Sequence, residues 1–179
     1  MLRFLVVEDN SSVRHMVINS LRRRYTEDRF DSAADFFEAV RIFAAAKSEG
    51  CPVNGCLSDF NYSGAANEEA VKKGHPNDAG QGGLDLLEHV KGNPQTGLNG
   101  NYPGTSFAFM SGNGFSIKAA IEERGLTIGD DHILEKPFRT FQALFNIIDL
   151  LKVEAETGNG AGAIKPNQPP RPQPRAPAI

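Results

Sequence analysis

The sequence predicts an α/β domain in which a parallel sheet of five strands is covered by helices on both faces. Short apolar segments alternate with segments of helical periodicity five times within roughly the first 150 of the 179 residues. Parallel strands need long crossover connections, and such crossovers are right-handed. Helices joined in this way cover both sides of the sheet. We therefore expect a doubly wound (βα)5 architecture of the flavodoxin-like type, with strand order 2-1-3-4-5.

The five predicted strands are short runs rich in β-branched and aromatic residues. They cover residues 2–7, 29–33, 55–59, 106–110 and 133–134. The first is the clearest, because an apolar run ends directly in the acids Glu8 and Asp9. Acidic residues at the end of an apolar run are typical of a buried strand that reaches the edge of a sheet.

The predicted helices follow the strands and are marked by caps and apolar stripes. Asn10, Ser11 or Ser12 can cap the first helix, and Asp35 can cap the second. The third and fourth helices cover about 84–90 and 117–123, and Gly125 ends the fourth. Apolar stripes at helical spacing mark the first, second and fifth helices: Val13, Met16, Val17 and Leu21; Phe36, Val40 and Phe43; and Phe141, Leu144, Phe145, Ile148 and Leu151.

Two long segments and a tail interrupt this pattern. The first segment, about 62–82, contains a predicted short helix, and the second, about 92–105, is rich in Gly, Asn and Pro. From residue 154 the chain becomes rich in Gly and Ala and then in Pro. We predict a domain over 1–153 and a disordered tail over 154–179, with no room after the fifth helix for an output domain.

Composition excludes several classes of function. The formal net charge is −3, and the stretch from Thr157 to Ile179 carries only basic charges, so the rest of the chain is more acidic still. An acidic domain of this kind is not expected to bind nucleic acid. No segment has the length of a membrane span, and Cys51 and Cys56 have no further Cys or His at zinc-ligand spacing. We expect reduced thiols, no membrane partner and a cytoplasmic location.

Polar residues follow four of the five predicted strands. They are Glu8 and Asp9 after the first, Asp59 at the end of the third, Ser111 after the fourth and Lys136 after the fifth. The carboxyl ends of parallel strands meet at one edge, where ligands bind in this architecture. Three carboxylates crowded together repel one another or recruit a cation, and hard oxygen ligands suit Mg²⁺. A metal beside a carboxylate nucleophile is the arrangement of aspartyl-phosphate chemistry.

The four segments that carry these residues resemble the signature blocks of response-regulator receiver domains. They are residues 5–10 (LVVEDN), 57–59 (LSD), 109–112 (FMSG) and 135–138 (EKPF). The resemblance implies a phosphorylation-operated signalling switch and not an enzyme with an external substrate. Its phosphoryl group comes from a histidine kinase or a histidine phosphotransfer protein. It also implies output through a protein partner bound at the face formed by helix four, strand five and helix five.

The resemblance implies a set of metal ligands. Asp59 is the phosphoacceptor and a Mg²⁺ ligand, Asp9 binds Mg²⁺ directly, and Glu8 binds it partly through water. The backbone carbonyl of Asn61 completes the set.

The resemblance also implies a phosphate-binding set and a switch. Ser111, the Gly112 amide and Lys136 contact the phosphoryl group, and Pro137 follows a cis peptide bond. Ser111 and Ile133 stand at the switch positions. Receiver domains usually carry an aromatic residue where Ile133 stands, so we expect aliphatic repacking in place of a rotating ring.

Two other functions remain open from the sequence. The family's Met-Pro after the acceptor is replaced by Tyr62 and Ser63, and the long segment that follows is compatible with a receiver-fold binding module that works without phosphorylation. A phosphatase of the haloacid dehalogenase class also combines Asp, Ser, Lys and Mg²⁺. That class has an acid two residues after its nucleophile, where Asn61 stands here.

Overall fold

The computed structural model describes residues 1–61, 82–92, 100, 102, 104–112, 114–126, 128–138 and 140–158. Its five strands are all parallel and form one sheet in the order β2-β1-β3-β4-β5, which confirms the predicted fold class. The strands are β1 (Arg3–Val7), β2 (Arg29–Ala33), β3 (Gly55–Asp59), β4 (Ser106–Ser111) and β5 (Ile133–Glu135). The helices of the described residues are α1 (Ser11–Arg24), α2 (Phe36–Ser48), α3 (Gly82–Lys91), α4 (Gly114–Glu123) and α5 (Phe141–Thr157), with one turn of 3-10 helix at Asp130–His132.

Several element ends differ from the prediction. α3 begins at Gly82 instead of residue 84, and α4 begins at Gly114 instead of residue 117. α5 continues to Thr157, through the domain boundary predicted at residue 153, and Gly158 follows it in the left-handed conformation. Gly82 and Gly83 of α3 are buried but carry no side chain, and the last turn of α5 is largely exposed, so neither end contributes to an apolar stripe.

The side chains of each strand alternate between two hydrophobic cores, one on each face of the sheet. In β1, Leu5 and Val7 face one core and Phe4 and Val6 the other. The first core contains the buried residues of α2, α3 and α4, and the second contains those of α1 and α5. The doubly wound arrangement therefore follows from strands that are apolar on both faces.

Asparagine and aspartate cap the first two helices. The Asn10 Oδ1 atom accepts hydrogen bonds from the backbone amides of Ser12 and Val13, so Asn10 is the N-cap of α1 among the three candidates. Asp35 accepts a hydrogen bond of 2.8 Å from the Glu38 amide and caps α2 as predicted. The cap at Asn10 fixes where the chain turns from β1 into α1, directly after the two acids.

For two residues of the apolar stripes, the prediction that they face the core is wrong. Met16 of α1 is 42% exposed and Phe141 of α5 is 41% exposed. Ile18 and Ile147 are buried in their place. Met16 lies in the first half of α1 and Phe141 at the start of α5, and both side chains line the same surface pocket.

Gly83 brings α3 against the end of β3. A Cβ atom at Gly83 would lie 2.2 Å from the Asp59 carbonyl oxygen and 2.9 Å from the Phe60 Cα, so no larger residue fits there. The Gly83 amide donates a hydrogen bond of 3.1 Å to the Phe60 carbonyl. The start of α3 is thereby fastened to the residue that follows Asp59.

Parts of the prediction lie outside the described residues. These are the short helix inside segment 62–82, most of segment 92–105 and the tail from residue 159. Within the described residues, no helix combines the length and the apolar composition needed to cross a membrane. Cys51 and Cys56 are free thiols, and Cys56 is buried in β3.

Candidate functional site

The sheet brings the polar strand ends together as predicted. Asp59 is paired in register with Met110, and Ser111 with Glu135, so β3, β4 and β5 end at one level. β1 lies beside β3, with Val7 opposite Ser58, so the acids after β1 lie next to Asp59. The carboxyl edge of the sheet therefore brings Glu8, Asp9, Asp59 and Lys136 into contact, with Ser111 bonded to the Lys136 amide through its carbonyl.

Three carboxylates occupy this edge within a short distance of one another. One oxygen from each of Glu8, Asp9 and Asp59 lies within 4.8 Å of the others. Glu8 is 2% exposed and Asp59 is 8% exposed, whereas Asp9 is half-buried. Burying like charges this close is unfavourable unless cations accompany them.

Lys136 supplies one of these cations. Its ammonium lies 2.5 Å from Glu8 Oε2 and 2.8 Å from Asp59 Oδ2, so it bridges the two buried acids. Its backbone amide donates a hydrogen bond of 2.7 Å to the Ser111 carbonyl, and its peptide bond to Pro137 is cis. The lysine is thus held from β4 and points back across the site.

The pKa values of the site reflect this balance between burial and pairing. Burial raises the pKa of Glu8 and of Asp59 above the ordinary range, and the hydrogen bonds from Lys136 only partly oppose that effect. The charge of Asp9 raises the pKa of Asp59 further. Burial alone acts to lower the pKa of Lys136, but the hydrogen bonds to Asp59 and Glu8 outweigh it and raise that pKa.

The donor set fits Mg²⁺. Three carboxylates with one lysine between them keep a negative charge at the edge, and carboxylate oxygens are the ligands that Mg²⁺ prefers. The Asp59 Oδ1 atom accepts a long hydrogen bond of 3.4 Å from the Asn61 amide. Asn61 itself is exposed and lies two residues after Asp59.

The remaining predicted residues flank the carboxylates. Ser111 is buried at the end of β4, and Gly112 is exposed, with open space around its α-carbon. Ile133 is half-buried at the start of β5 and packs against the core that contains α4. Ile133 therefore lies on the same face of the sheet as the buried residues of α4.

Sequence reasoning missed Arg14. One terminal nitrogen of its guanidinium lies 2.5 Å from the Glu8 carbonyl oxygen and 3.2 Å from the Asp9 carbonyl oxygen. Side chains of a helix point towards its N-terminus, so a long residue one turn after the cap Asn10 reaches back to the strand end. That spacing is the signal that identifies such a residue in a sequence.

An open, largely apolar pocket of about 540 Å³ lies beside Lys136. Its lining comes from α1, the chain after β5 and the start of α5: Val13, Met16, Lys136, Pro137, Phe138, Thr140 and Phe141. The exposed Met16 and Phe141 therefore belong to a surface that is continuous with the carboxylate site.

The fold is that of response-regulator receiver domains. The bacteriophytochrome response regulator AtBRR is 18% identical, with a TM-score of 0.56, and the match covers 86% of this chain and 94% of that one. The chemotaxis protein CheY4 of Vibrio cholerae is 21% identical, with a TM-score of 0.53 and coverage of 84% and 98%. A CheY-like receiver domain protein of Methanospirillum hungatei is 18% identical, with a TM-score of 0.54 and coverage of 88% and 98%. No protein-family model and no curated protein matches the sequence.

Proposed function

We propose that this chain is a response regulator of the receiver family, which accepts a phosphoryl group on Asp59 from a phosphohistidine partner in a Mg²⁺-dependent reaction. One observation carries the proposal: Glu8, Asp9 and Asp59 cluster around Lys136 at the carboxyl edge of a sheet with the receiver fold. The fold alone does not define a function, but this set of side chains supports the transfer of a phosphoryl group to a carboxylate.

The metal ligands are the carboxylates of Asp9 and Asp59 and the Asn61 carbonyl, and Glu8 acts partly through water. Bound Mg²⁺ supplies positive charge that offsets the carboxylates and the incoming phosphoryl oxygens. Because the pKa of Asp59 is raised by burial, its carboxylate is a stronger base and a better nucleophile than an exposed one.

In the transfer step, an Asp59 carboxylate oxygen forms a bond to phosphorus. The bond from phosphorus to the donor histidine nitrogen breaks, and its electron pair stays on that nitrogen, which takes up a proton. Lys136 Nζ, which already contacts Asp59 Oδ2, turns to a phosphoryl oxygen, and the Ser111 hydroxyl and the Gly112 amide donate to the others. Hydrolysis of the acyl phosphate returns Asp59 to its resting state.

The apolar pocket beside Lys136 is where a phosphodonor protein docks. Exposed Met16 and Phe141 offer apolar contact area, and the pocket shares Lys136 with the carboxylate site. A helical donor surface placed there presents its histidine to Asp59.

Output passes through the face formed by α4, β5 and α5. Ser111 precedes α4, and its carbonyl accepts a hydrogen bond from the Lys136 amide. Movement of Ser111 towards a phosphoryl group therefore displaces both the start of α4 and the chain that follows β5. A groove at the β5 edge, lined by Ile133, Ala143 and Ile147 among others, offers a partner site there. We expect amide exchange to change over residues 112–145 when a phosphoryl analogue binds; changes confined to segment 62–82 contradict this output face.

The decisive experiment is phosphorylation by a small phosphodonor. When the protein is incubated with acetyl phosphate and Mg²⁺, it should gain one phosphoryl group. Mass spectrometry of peptides whose acyl phosphate has been reduced should locate that group on Asp59. Asp59→Asn should gain none, and Asp9→Ala should lose Mg²⁺ binding and modification together. Asp85→Asn is the matched control, since Asp85 is also a buried aspartate but does not belong to the cluster of Glu8, Asp9 and Asp59, and it should be modified like the parent. An adduct that persists in Asp59→Asn, or that lies on a histidine, contradicts the proposal.

A further inference from the structure

The two acids after β1 are held from behind by Arg14. Its guanidinium donates to the backbone carbonyls of both Glu8 and Asp9, and the Glu8 bond, at 2.5 Å, is short. Arg14 is half-buried and belongs to the first turns of α1. A guanidinium presents several donors in a rigid plane, so one group can hold two neighbouring carbonyls in a fixed orientation.

These carbonyls lie beyond the regular part of the sheet. The last paired residue of β1 is Val7, and beyond it the Glu8 amide donates to the Ala33 carbonyl at 3.1 Å. The Asn10 amide then donates to the Glu8 side chain at 3.2 Å. Two amides of this turn, those of Glu8 and Asn10, thus donate to β2 and to the Glu8 side chain, whereas the carbonyls of Glu8 and Asp9 accept from Arg14.

We infer that Arg14 is a positioning residue for the Mg²⁺ site, which fixes the backbone from which the Glu8 and Asp9 side chains project. This inference rests on the proposed function, because it concerns the ligands assigned there. Arg14 contacts backbone atoms and not the carboxylates, so it acts on the metal through the direction of these two side chains.

Charge and positioning make opposite predictions for Arg14. A cation beside three carboxylates weakens the binding of another cation, so loss of the arginine charge by itself tightens Mg²⁺ binding. Loss of the two carbonyl bonds frees the turn and weakens binding, because the ligands must then be ordered when the metal arrives. Groups that orient metal ligands typically change metal affinity by roughly 10- to 100-fold when they are removed.

The test is a calorimetric Mg²⁺ titration of the full chain and its variants. Arg14→Ala should weaken Mg²⁺ binding roughly tenfold or more, and Arg14→Lys, which keeps the charge and one donor group, should recover part of that loss. Arg22→Ala is the matched control. Arg22 lies on the same helix and also donates to a backbone carbonyl, that of Phe30 at 2.7 Å, but at the far end of α1. Its loss should leave Mg²⁺ affinity unchanged.

Each outcome decides the matter. Unchanged or tighter binding in Arg14→Ala overturns the positioning role while Mg²⁺ binding by the parent keeps the proposed function intact. A parent protein that binds no Mg²⁺ overturns the proposed function, and the inference with it. If Arg14→Ala does not fold, Arg14→Lys decides: binding equal to that of the parent overturns the inference. Amide exchange of residues 8–10 should also rise in Arg14→Lys and stay constant in Arg22→Ala.

Discussion

Lys136 is the residue that offsets the negative charge of the buried carboxylates at the site. It pairs with two carboxylates that are buried almost completely, and its own side chain is 21% exposed. The pKa values of Glu8 and Asp59 are already raised with the lysine present, because burial penalises their charged forms. Removal of the lysine therefore leaves two buried acids that are still more difficult to ionise.

We expect Lys136→Ala to destabilise the protein by about 2 kcal/mol or more at pH 7.5, because breaking a buried ion pair strands its partners. The loss should shrink towards pH 5. Carboxyl groups with raised pKa values bind protons in the folded state on acidification, and the neutral acids no longer need a cation. Urea unfolding at both pH values measures the effect.

Lys118→Ala is the control for this prediction. Lys118 pairs with Asp130 at the surface, where the lysine is 41% and the aspartate 83% exposed. Exposed pairs contribute little, so this variant should be nearly neutral at both pH values. If Lys136→Ala and Lys118→Ala lost the same free energy of unfolding, Lys136 would have no special role in stability.

Among individual residues, the sequence identifies the members of the site better than their mutual contacts. Glu8, Asp9, Asp59, Ser111 and Lys136 follow from strand ends, because the alternation of strands and helices determines which ends meet. The double contact of Lys136 and the carbonyl bonds of Arg14 depend on side-chain reach across the fold. No local pattern encodes that reach.

At the scale of elements, α3 carries a second buried acidic pair. Asp85 is 4% and Glu88 is 1% exposed. Arg124, just beyond α4, lies 3.1 Å from both Glu88 carboxylate oxygens, which ties α3 to α4. In the described part of the chain, Asp85 Oδ1 finds no hydrogen-bond partner. Burial raises the pKa of Asp85 to about 7, and the charge of Glu88 adds to that effect while Arg124 opposes it.

Asp85 should make the stability of the protein fall as pH rises. Its folded-state pKa of about 7 lies above the ordinary aspartate value of 3.8, so between these values the folded state binds more protons than the unfolded state. The penalty is absent below the lower value and complete above the higher one. Asp85→Asn should therefore stabilise the protein by about 1–3 kcal/mol at pH 8 and have little effect near pH 4.

Urea unfolding of parent and Asp85→Asn across this range provides the measurement. Glu88→Gln is the companion variant, and it should destabilise the protein because it weakens the contact with Arg124. A gain from Asp85→Asn that does not vary with pH would show that ionisation of Asp85 is not its cause.

Element boundaries show the limits of pattern reasoning. The apolar stripe of α5 ends at Leu151, but the helix continues to Thr157, where Gly158 takes the left-handed conformation at φ 71°. Its last turns pack less deeply, and exposed turns carry no apolar signal. Met16 and Phe141 show the reverse error, since apolar residues at helical spacing serve a surface pocket as well as a core.

At the scale of the whole molecule, the proposed Mg²⁺ site at the carboxylate edge predicts that stability depends on the metal. A ligand that binds the folded state alone stabilises it by about 2.7 kcal/mol at 100 times its dissociation constant. For a protein of this size that corresponds to a rise in Tm of roughly 5–10 °C. We expect such a rise on addition of MgCl₂, measured by scanning calorimetry.

Asp9→Ala controls for general salt effects in this measurement. It removes the half-buried carboxylate without disturbing the contacts of Lys136 with Glu8 and Asp59. Its Tm should not change with MgCl₂, and an equal amount of KCl should leave the parent unchanged. A rise of the same size in both proteins would place the effect of Mg²⁺ elsewhere on the molecule.

The architecture as a whole could be predicted because strands and helices alternate without exception along the regular part of the chain. The apolar residues of β1 point alternately into both cores, which only a sheet covered on both faces allows. The strand order was predictable from the fold class. In that order β1, which precedes Asp9, lies beside β3, which ends at Asp59. Segment 62–82 has no comparable pattern, because its polar composition offers no buried face from which to reason.

The hydrogen bond between Gly83 and Phe60 has a consequence for how this protein can diversify. The backbone leaves the sheet at Phe60 and is described again from Gly82, and the Gly83 amide donates to the Phe60 carbonyl at 3.1 Å, so the two ends of the intervening connection meet. Doubling the length of a connection whose ends meet costs only about 0.6 kcal/mol of closure entropy. Length and composition of this connection can thus vary next to Asp59, the proposed phosphoacceptor, while the acids and the lysine keep their places. Selection for a new partner can act on that segment alone, separately from selection for the chemistry.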